Sequence, residues 1–296
     1  MAARTADDPA EPTAHGFGRR WLLICLLVLA ALAAGGPFLP RLAQGAAGRV
    51  NPGSSLPTGP AGPALVSPAP PLPERPGKTS GTAPADPFAG LGPKVLRLAG
   101  SVPAHGSRTF IYAPGAGPVL GSSGRVRRFR VAVEKGSNED VHAFAAQVQA
   151  ILGDRRGWVG DGGVRFQRVS GGSAHDFTVY LATRDTAARM CLTGGVDIRV
   201  GGRPYTSCRA TGRAIINLDR WRMSAPTFTR ARVPLVTYRQ YVINHEVGHE
   251  LGHHHEGCPK AGGPAPVMVQ QTLTLRGCVP YAWPRRGDRE LSGPSL

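Results

Sequence analysis

The segment at residues 244–258, NHEVGHELGHHHEGC, constrains what this chain can fold into more than any other stretch. It contains the pattern H-E-x-x-H twice in overlapping copies, at residues 245–249 and at residues 249–253. Histidines four positions apart on a helix lie about 40° from each other at roughly 100° per residue, so both can reach one metal ion. The glutamate after the first histidine can take a proton from a water molecule at that ion without binding the metal. Each copy therefore predicts a helix that carries a metal site.

The residues that follow the helix favour the first copy. Gly252 comes three positions after His249, and His255 comes six positions after it, which completes the longer pattern H-E-x-x-H-x-x-G-x-x-H. Glycine can leave a helix in the left-handed conformation, and the chain can then turn to bring His255 to the same ion. Zinc suits imidazole ligands, and a catalytic zinc site has three protein ligands and an open position. We therefore predict one Zn²⁺ per chain, held by His245, His249 and His255.

The choice between the two copies also decides which glutamate would do the chemistry. In the first copy the general base is Glu246. In the second it is Glu250, with His249 and His253 as ligands. The second copy keeps Gly252 inside the helix, at a cost of about 1 kcal/mol relative to alanine, and it has no third histidine at the expected distance. Two further alternatives stay open, namely a histidine-rich tract that stores metal and a folded zinc site without turnover.

Longer stretches around this motif resemble a known group of enzymes. HEVGHELGHHH followed by PVM resembles the metzincin clan of zinc endopeptidases. The stretch YRQYVINHEVGHELGHHHEGC, with APVM, GC and AWP further along, is similar to an actinobacterial family of exported, metzincin-like predicted zinc proteins, over roughly residues 95–296. The resemblance implies a zincin-like fold, with a twisted mixed sheet above an active-site cleft, a long helix in the N-terminal half and an active-site helix. It also implies the same zinc ligands and general base, and Met268 as the residue of a Met turn.

Three positions near the motif give further candidates. Many metzincins carry a tyrosine ligand two residues after the methionine of this turn, whereas the present chain has Gln270 there. Tyr281 is therefore a candidate to contact the site in its place. Glu256 directly follows the third histidine, as a glutamate does in astacins, and is a second candidate for a contact just outside the ligands.

The N-terminal part of the chain has a different composition. Paired arginines at residues 19–20 precede an uncharged apolar run, so residues 1–20 are predicted as a cytoplasmic tail and residues 21–40 as a signal anchor or a cleaved signal peptide. Residues 41–93 are rich in proline and glycine and predict a disordered linker. The folded domain is then residues 94–296. We expect it outside the cell, either on a single-pass membrane anchor or secreted.

The pattern of apolar residues in this domain predicts a mixture of strands and helices. Residues 126–133 alternate and predict a strand with Phe129, Val131 and Val133 on one face. Helix-capping residues follow, and then an apolar helical pattern that ends at Gly153. The other predicted elements are strands at 164–169, 177–182 and 214–218, a short helix at 186–191, a hairpin at 196–208 that turns at Gly201-Gly202, and a helix from about Tyr238 that carries the histidines. This order indicates the α+β class.

The chain has five cysteines, of which Cys25 lies in the apolar N-terminal run. The remaining four are an even number in an exported domain, which predicts two disulfides with three possible pairings. Proximity in sequence favours Cys191 with Cys208 and Cys258 with Cys278. The alternative is that these cysteines are buried free thiols.

The chain is strongly basic, with 35 lysine and arginine residues against 19 aspartate and glutamate residues and a formal net charge of +16. The arginines are scattered rather than clustered with aromatic residues, so the charge does not predict a specific nucleic-acid site. A loose attraction to an anionic cell envelope is the expected effect.

The motif and the export features together predict an exported or membrane-tethered zinc metallopeptidase. Its substrates would be peptides or proteins, including proteins of the cell envelope. The main alternative is a catalytically silent, zinc-dependent binding domain of the envelope. A third class, envelope adhesion through the basic surface, would need no metal.

Overall fold

The computed structural model describes residues 86–296, so the predicted cytoplasmic tail, the predicted membrane segment and most of the predicted linker lie outside the described residues. Within residues 86–296, the helices are all too short or too polar to span a bilayer. The described chain begins inside the predicted linker, and Phe88 packs against the hydrophobic core.

Seven strands form one mixed sheet at the centre of the described domain. The strands in chain order are β1 Phe110–Tyr112, β2 Val119–Leu120, β3 Arg125–Glu134, β4 Val164–Arg168, β5 Phe177–Ala182, β6 Arg199–Val200, β7 Arg203–Pro204, β8 Cys208–Ala210, β9 Arg213–Asn217, β10 Arg285–Arg286 and β11 Arg289–Glu290. The central sheet has the order β2-β4-β3-β5-β9-β8, with β1 also paired to β3, while β6–β7 and β10–β11 are separate hairpins. β3, β4, β5 and β9 pair in parallel, and β1, β2 and β8 pair antiparallel to their neighbours. The prediction of an α+β domain is confirmed, and its central sheet is mixed.

The central strands lie where the alternation of apolar residues predicts them. β3 covers the predicted strand and buries Phe129, Val131 and Val133 on one face. β5 has the predicted bounds and lies between β3 and β9. β9 ends at Asn217, one residue before the predicted end, because the Asn217 side chain accepts a hydrogen bond from the backbone of Asp219 and so caps the next helix.

Five α-helices accompany the sheet within the described residues. They are α1 Val141–Gly153, α2 Arg184–Thr193, α3 Leu218–Met223, α4 Pro226–Arg230 and α5 Leu235–Glu250. α1 ends at the predicted Gly153, and Asp140 caps its start by accepting a hydrogen bond from the backbone of Ala143. α2 extends the predicted short helix by two residues at each end.

α5 carries the histidines and is buried along most of its length. It begins at Leu235, three residues before the predicted start, and Ile243 faces the core. The buried guanidinium of Arg239 donates to the carbonyl of Trp221 at 2.9 Å and to the side chain of Gln147 at 3.0 Å. Burial lowers the pKa of Arg239 to about 10. These bonds tie α5 to α3 and α1, so the helix is a fixed base for the side chains that it presents.

The hairpin of β6 and β7 turns at Gly201 and Gly202, as the sequence predicts, but it covers only residues 199–204, because Cys208 pairs with β9 in the central sheet. Both glycines have positive φ angles, 58° and 78°, which other residues rarely adopt. This hairpin stands at one side of the histidine helix and forms a wall of the cavity described below.

Two disulfides are present, and they join the cysteines that proximity in sequence favours. Cys191 is bonded to Cys208, which links α2 to β8, and the two Cα atoms lie 6.0 Å apart. Cys258 is bonded to Cys278 with a Cα separation of 5.7 Å. The second disulfide closes a loop in the part of the chain that follows the histidine helix. Disulfides of this kind are typical of proteins that mature in an oxidising compartment, which agrees with export.

Candidate metal centre

The histidine helix stops where the sequence predicts a turn. α5 ends at Glu250, and Gly252 has a φ of 100° in the left-handed region. The backbone of His253 then donates to the carbonyl of Gly248 at 3.0 Å, which closes the end of the helix. The chain reverses at this point and returns His255 towards the helix.

Three histidines come together as a result. One ring nitrogen from each of His245, His249 and His255 lies within 4.8 Å of the others. The Nε2 atoms of His249 and His255 are 3.1 Å apart. A metal ion needs several histidine, cysteine, aspartate or glutamate side chains close together. Within residues 86–296, these three histidines form such a cluster.

Backbone carbonyls orient the two histidines on the helix. The Nδ1 atom of His245 is 2.8 Å from the carbonyl of Val267, and the Nδ1 atom of His249 is 2.8 Å from the carbonyl of His253. A carbonyl can only accept, so each Nδ1 carries the proton and each Nε2 is left as a free donor of electrons towards the cluster. Tautomer and ring orientation are thus set before any metal binds.

The histidines are also held in the neutral form that metals require. Burial lowers the pKa of His245 to about 3 and the pKa of His255 to about 4, and it lowers the pKa of His249 as well. All three imidazoles are therefore uncharged near pH 7, so a metal ion does not have to displace protons from them.

Glu246 lies beside this cluster with its carboxylate facing a cavity. The residue is only 4% exposed, and burial raises the pKa of its carboxyl to about 8. No group in the described part of the chain donates a hydrogen bond to it, and burial is the single cause of the raised pKa. Its oxygens are not among the enclosed polar atoms without a partner, so they reach the solvent in the cavity.

Glu250, the glutamate of the second copy, has a different environment. Its carboxylate accepts hydrogen bonds from the backbone of Arg213 at 2.8 Å and of Gly212 at 3.2 Å, and it pairs with Arg209 at 3.3 Å. These contacts hold the turn between β8 and β9. The ring of His253 stacks on Trp158 with 4.3 Å between centroids and is not part of the cluster. The structure therefore assembles the first copy of the pattern and not the second.

The turn at residues 265–269 lies directly beneath the histidines. Its Val267 carbonyl is the group that orients His245, and Met268 is buried against α5. A Cβ atom on Gly248 would lie 2.6 Å from the sulfur of Met268 and 2.7 Å from the rigid ring of Trp158, so a larger residue at that position of the helix would overlap its neighbours. The structure thus packs Met268 against Gly248, on the helix that carries two of the histidines.

One residue that stabilises this region was missed by the sequence analysis. Gln271 is fully buried, and its side-chain amide donates to the carbonyls of Pro266 at 3.1 Å and Tyr281 at 2.7 Å. Its oxygen accepts from the backbone of Tyr281 at 3.1 Å. Gln271 therefore connects the turn at residues 265–269 to the segment around Tyr281. Its residue type gives no signal in the sequence, because glutamine is mostly found on protein surfaces.

The structure does not bring Tyr281 or Glu256 to the ligands. The hydroxyl of Tyr281 donates to the carbonyl of Arg285 at 2.8 Å, and Tyr281 does not line the cavity. The carboxylate of Glu256 accepts from the backbone of Gly293 at 2.9 Å. Both side chains therefore form hydrogen bonds outside the histidine cluster. Gln270, which stands at the position of the metzincin tyrosine, does line the cavity.

The cavity beside the histidines has a volume of about 440 Å³. Its walls are α5, residues 196–200, which include β6, the start of β8, and residues 270–273. Three of its residues are large apolar side chains that remain substantially exposed, namely Val196, Val200 and Leu273. The sequence predicts the hairpin but not its place beside the metal ligands, because hairpin patterns carry no information on what they pack against.

The donor set fits a transition-metal ion. Three neutral imidazoles that converge on one point suit zinc and other imidazole-binding metals, and three protein ligands leave a coordination position open. A bound cation would lower the raised pKa of the Glu246 carboxyl and favour its charged form.

The fold and the site together define an α+β domain with two disulfides, which are typical of an oxidising compartment, and with a three-histidine cluster that could hold a metal ion. Residues 96–281, more than half of the chain, match the family model described as "Protein of unknown function (DUF3152)", and the chain belongs to this family. Comparisons with curated proteins and with solved structures found no match. The function is therefore inferred from the site.

Proposed function

We propose that this protein is an exported or membrane-tethered zinc metallopeptidase of the metzincin type, which hydrolyses peptide bonds. The observation that carries the proposal is the combination of three convergent histidines with Glu246, whose carboxyl group opens to the cavity and has no hydrogen-bond partner within residues 86–296. A carboxyl group whose pKa is raised by burial, next to a possible metal position and a cavity, is typical of catalytic sites.

A zinc ion bound by the three histidines would polarise a substrate carbonyl and make a water molecule more acidic. Glu246 then accepts the proton of the attacking water and returns it to the leaving amine. A carboxyl group whose pKa is raised towards the working pH is suited to both steps, and a neighbouring cation would lower that pKa and keep the group ready as a base. The two carbonyls that orient His245 and His249 keep their Nε2 atoms turned to the metal position.

The position of β8 supports a peptide as the substrate. β8 is the last strand of the sheet and pairs with β9 on one side only. Cys208 and Arg209 of this strand line the cavity. An unpaired strand edge offers backbone donors and acceptors to an extended peptide, which can add as a further strand.

The apolar wall of the cavity supports the same class of substrate. Val196, Val200 and Leu273 are 38%, 50% and 42% exposed, respectively, although large aliphatic side chains gain free energy when covered. An apolar side chain of a bound peptide would cover them, whereas a small charged substrate would not.

The proposal is tested with the purified full-length chain after one equivalent of zinc has been loaded. Hydrolysis of casein and of a quenched peptide library should appear, stop on addition of a zinc chelator, and return when zinc is restored. An identically purified Glu246→Gln protein controls for contaminating peptidases. If the protein holds stoichiometric zinc and cleaves none of these substrates, the peptidase proposal fails and a zinc-dependent binding domain replaces it.

A further inference from the structure

Residues 293–296 lie alongside the segment that carries the third histidine. The backbone of Gly257 donates to the carbonyl of Pro294 at 2.7 Å, and the backbone of Leu296 donates to the carbonyl of His255 at 3.2 Å. The two segments therefore run antiparallel and exchange backbone hydrogen bonds in both directions. We refer to residues 293–296 as the clamp segment.

Glu256 lies between these two backbone bonds and is held from two sides. It forms an antiparallel bridge with Ser295, and its carboxylate accepts a hydrogen bond from the backbone of Gly293 at 2.9 Å. On the other side, its own backbone donates to the carbonyl of Met268 at 3.1 Å. The residue that follows the third histidine is thus fixed between the clamp segment and the turn beneath the site.

The third histidine needs such support more than the other two. His245 and His249 are held by the backbone of α5, and each has a carbonyl partner for its Nδ1 atom. His255 follows the left-handed Gly252 and has no helix around it. Within the described residues, its ring has a polar contact with His249 alone. Its position therefore depends on the backbone bonds to its own segment.

We propose that the clamp segment is a positioning element of the metal centre, which fixes His255 and so sets the metal affinity of the three-histidine cluster. The inference rests on the proposed function only in that the three histidines bind a metal ion. It does not depend on whether the protein hydrolyses peptides. Groups that orient metal ligands typically change metal affinity by about 10–100-fold when they are lost.

Gly293 offers a point mutation that displaces the clamp segment. A Cβ atom at Gly293 would overlap the carbonyl oxygen of Gly257. Gly293 does not have a left-handed backbone, so Gly293→Ala acts through this overlap and not through backbone strain. The matched control is Ser295→Ala, because Ser295 is exposed and its role in the pairing is carried by the backbone. Deletion of residues 293–296 is a second variant that removes the segment without any overlap.

Zinc affinity is measured by competition with a chromophoric chelator, using the full-length chain. Gly293→Ala and the deletion should each raise the zinc dissociation constant by about 10–100-fold. Ser295→Ala should leave it unchanged within about twofold, as for most exposed substitutions. When loaded with cobalt, the Gly293→Ala protein and the deletion variant should also show a shifted visible spectrum, because the loss of one imidazole changes the coordination of the ion.

The melting temperature separates positioning from a general loss of stability. If the clamp segment positions His255, the two variants lose more stability with zinc bound than without it, so the rise in melting temperature on zinc addition becomes smaller. Equal losses with and without zinc, or an unchanged zinc dissociation constant, would overturn the proposal. A wild-type protein that binds zinc but cleaves no peptide would refute the proposed peptidase activity and leave this test intact.

Discussion

The two overlapping copies of H-E-x-x-H lie on one helix, and yet their glutamates have opposite surroundings. Glu246 faces the cavity, and no group in the described chain hydrogen-bonds its carboxylate. Glu250, one turn further along, is bonded to two backbone amides and to Arg209. Spacing on the helix is the same for both residues, so the contrast arises from what packs against each turn. A short motif specifies which side chains share a face, and the rest of the fold assigns their roles.

The largest expected effect separates the two copies by zinc content. His245→Ala should abolish stoichiometric zinc, because it removes one of three convergent imidazoles, even though it leaves the second copy intact. His253→Ala should keep the metal, since its ring stacks on Trp158 instead of facing the cluster. Elemental analysis of the two purified proteins gives the comparison. Zinc lost in His253→Ala and retained in His245→Ala would mean that the second copy is the metal site.

The next effect separates chemistry from metal binding. Glu246→Gln should lower kcat/KM by roughly 10²–10⁴-fold, which is the usual contribution of a general base. Zinc content should stay at one per chain, because the carboxylate is not among the clustered ligands. Peptide hydrolysis and metal content are measured on the same preparation. Full activity in this variant would remove Glu246 from the proposed mechanism.

The matching change in the second copy should affect stability instead. Glu250→Ala leaves the backbone amides of Gly212 and Arg213 without their acceptor, which should cost about 1–3 kcal/mol in the free energy of unfolding. Urea denaturation measures this loss, and the folded fraction should still bind zinc. If Glu250→Ala lost zinc without any loss of stability, the division of roles between the two glutamates would be wrong.

Each copy also contains a glycine, and the two should respond to alanine for different reasons. Gly248→Ala should cost about 1–3 kcal/mol through overpacking, because the added methyl group meets Met268 and Trp158. Gly252→Ala meets no atom but forces alanine into the left-handed region, at a cost of about 1–2 kcal/mol. Thermal unfolding of the metal-free proteins gives both values. A gain in stability from either change would show that helix propensity outweighs the contact or the turn.

Local patterns were sufficient to predict much of this domain. The alternation in β3, the capped helical pattern of α1 and the glycine after the histidine helix each act within a few residues, and the structure has all three. The three histidines could be predicted as a group because helix geometry and one turn bring them together.

Contacts between distant segments could not be predicted in the same way. The Gln271 side chain bonds to backbone groups of distant residues, and the clamp segment pairs through its backbone, so neither contact can be read from a local residue pattern. Tyr281 and Glu256 are candidates in the sequence because of their chemistry and their positions relative to the motif. The structure turns both side chains to partners that only the folded chain brings near them.

The bond between Cys258 and Cys278 has a consequence for the order in which the protein matures. Cys258 lies three residues after His255, and a free thiolate there would be a strong competing ligand for zinc. Once the two sulfurs are bonded to each other, they no longer offer a thiolate, and the imidazoles become the preferred ligands. For the exported zinc protein that we propose, oxidation should therefore come before metal loading, and the metal would be acquired after export.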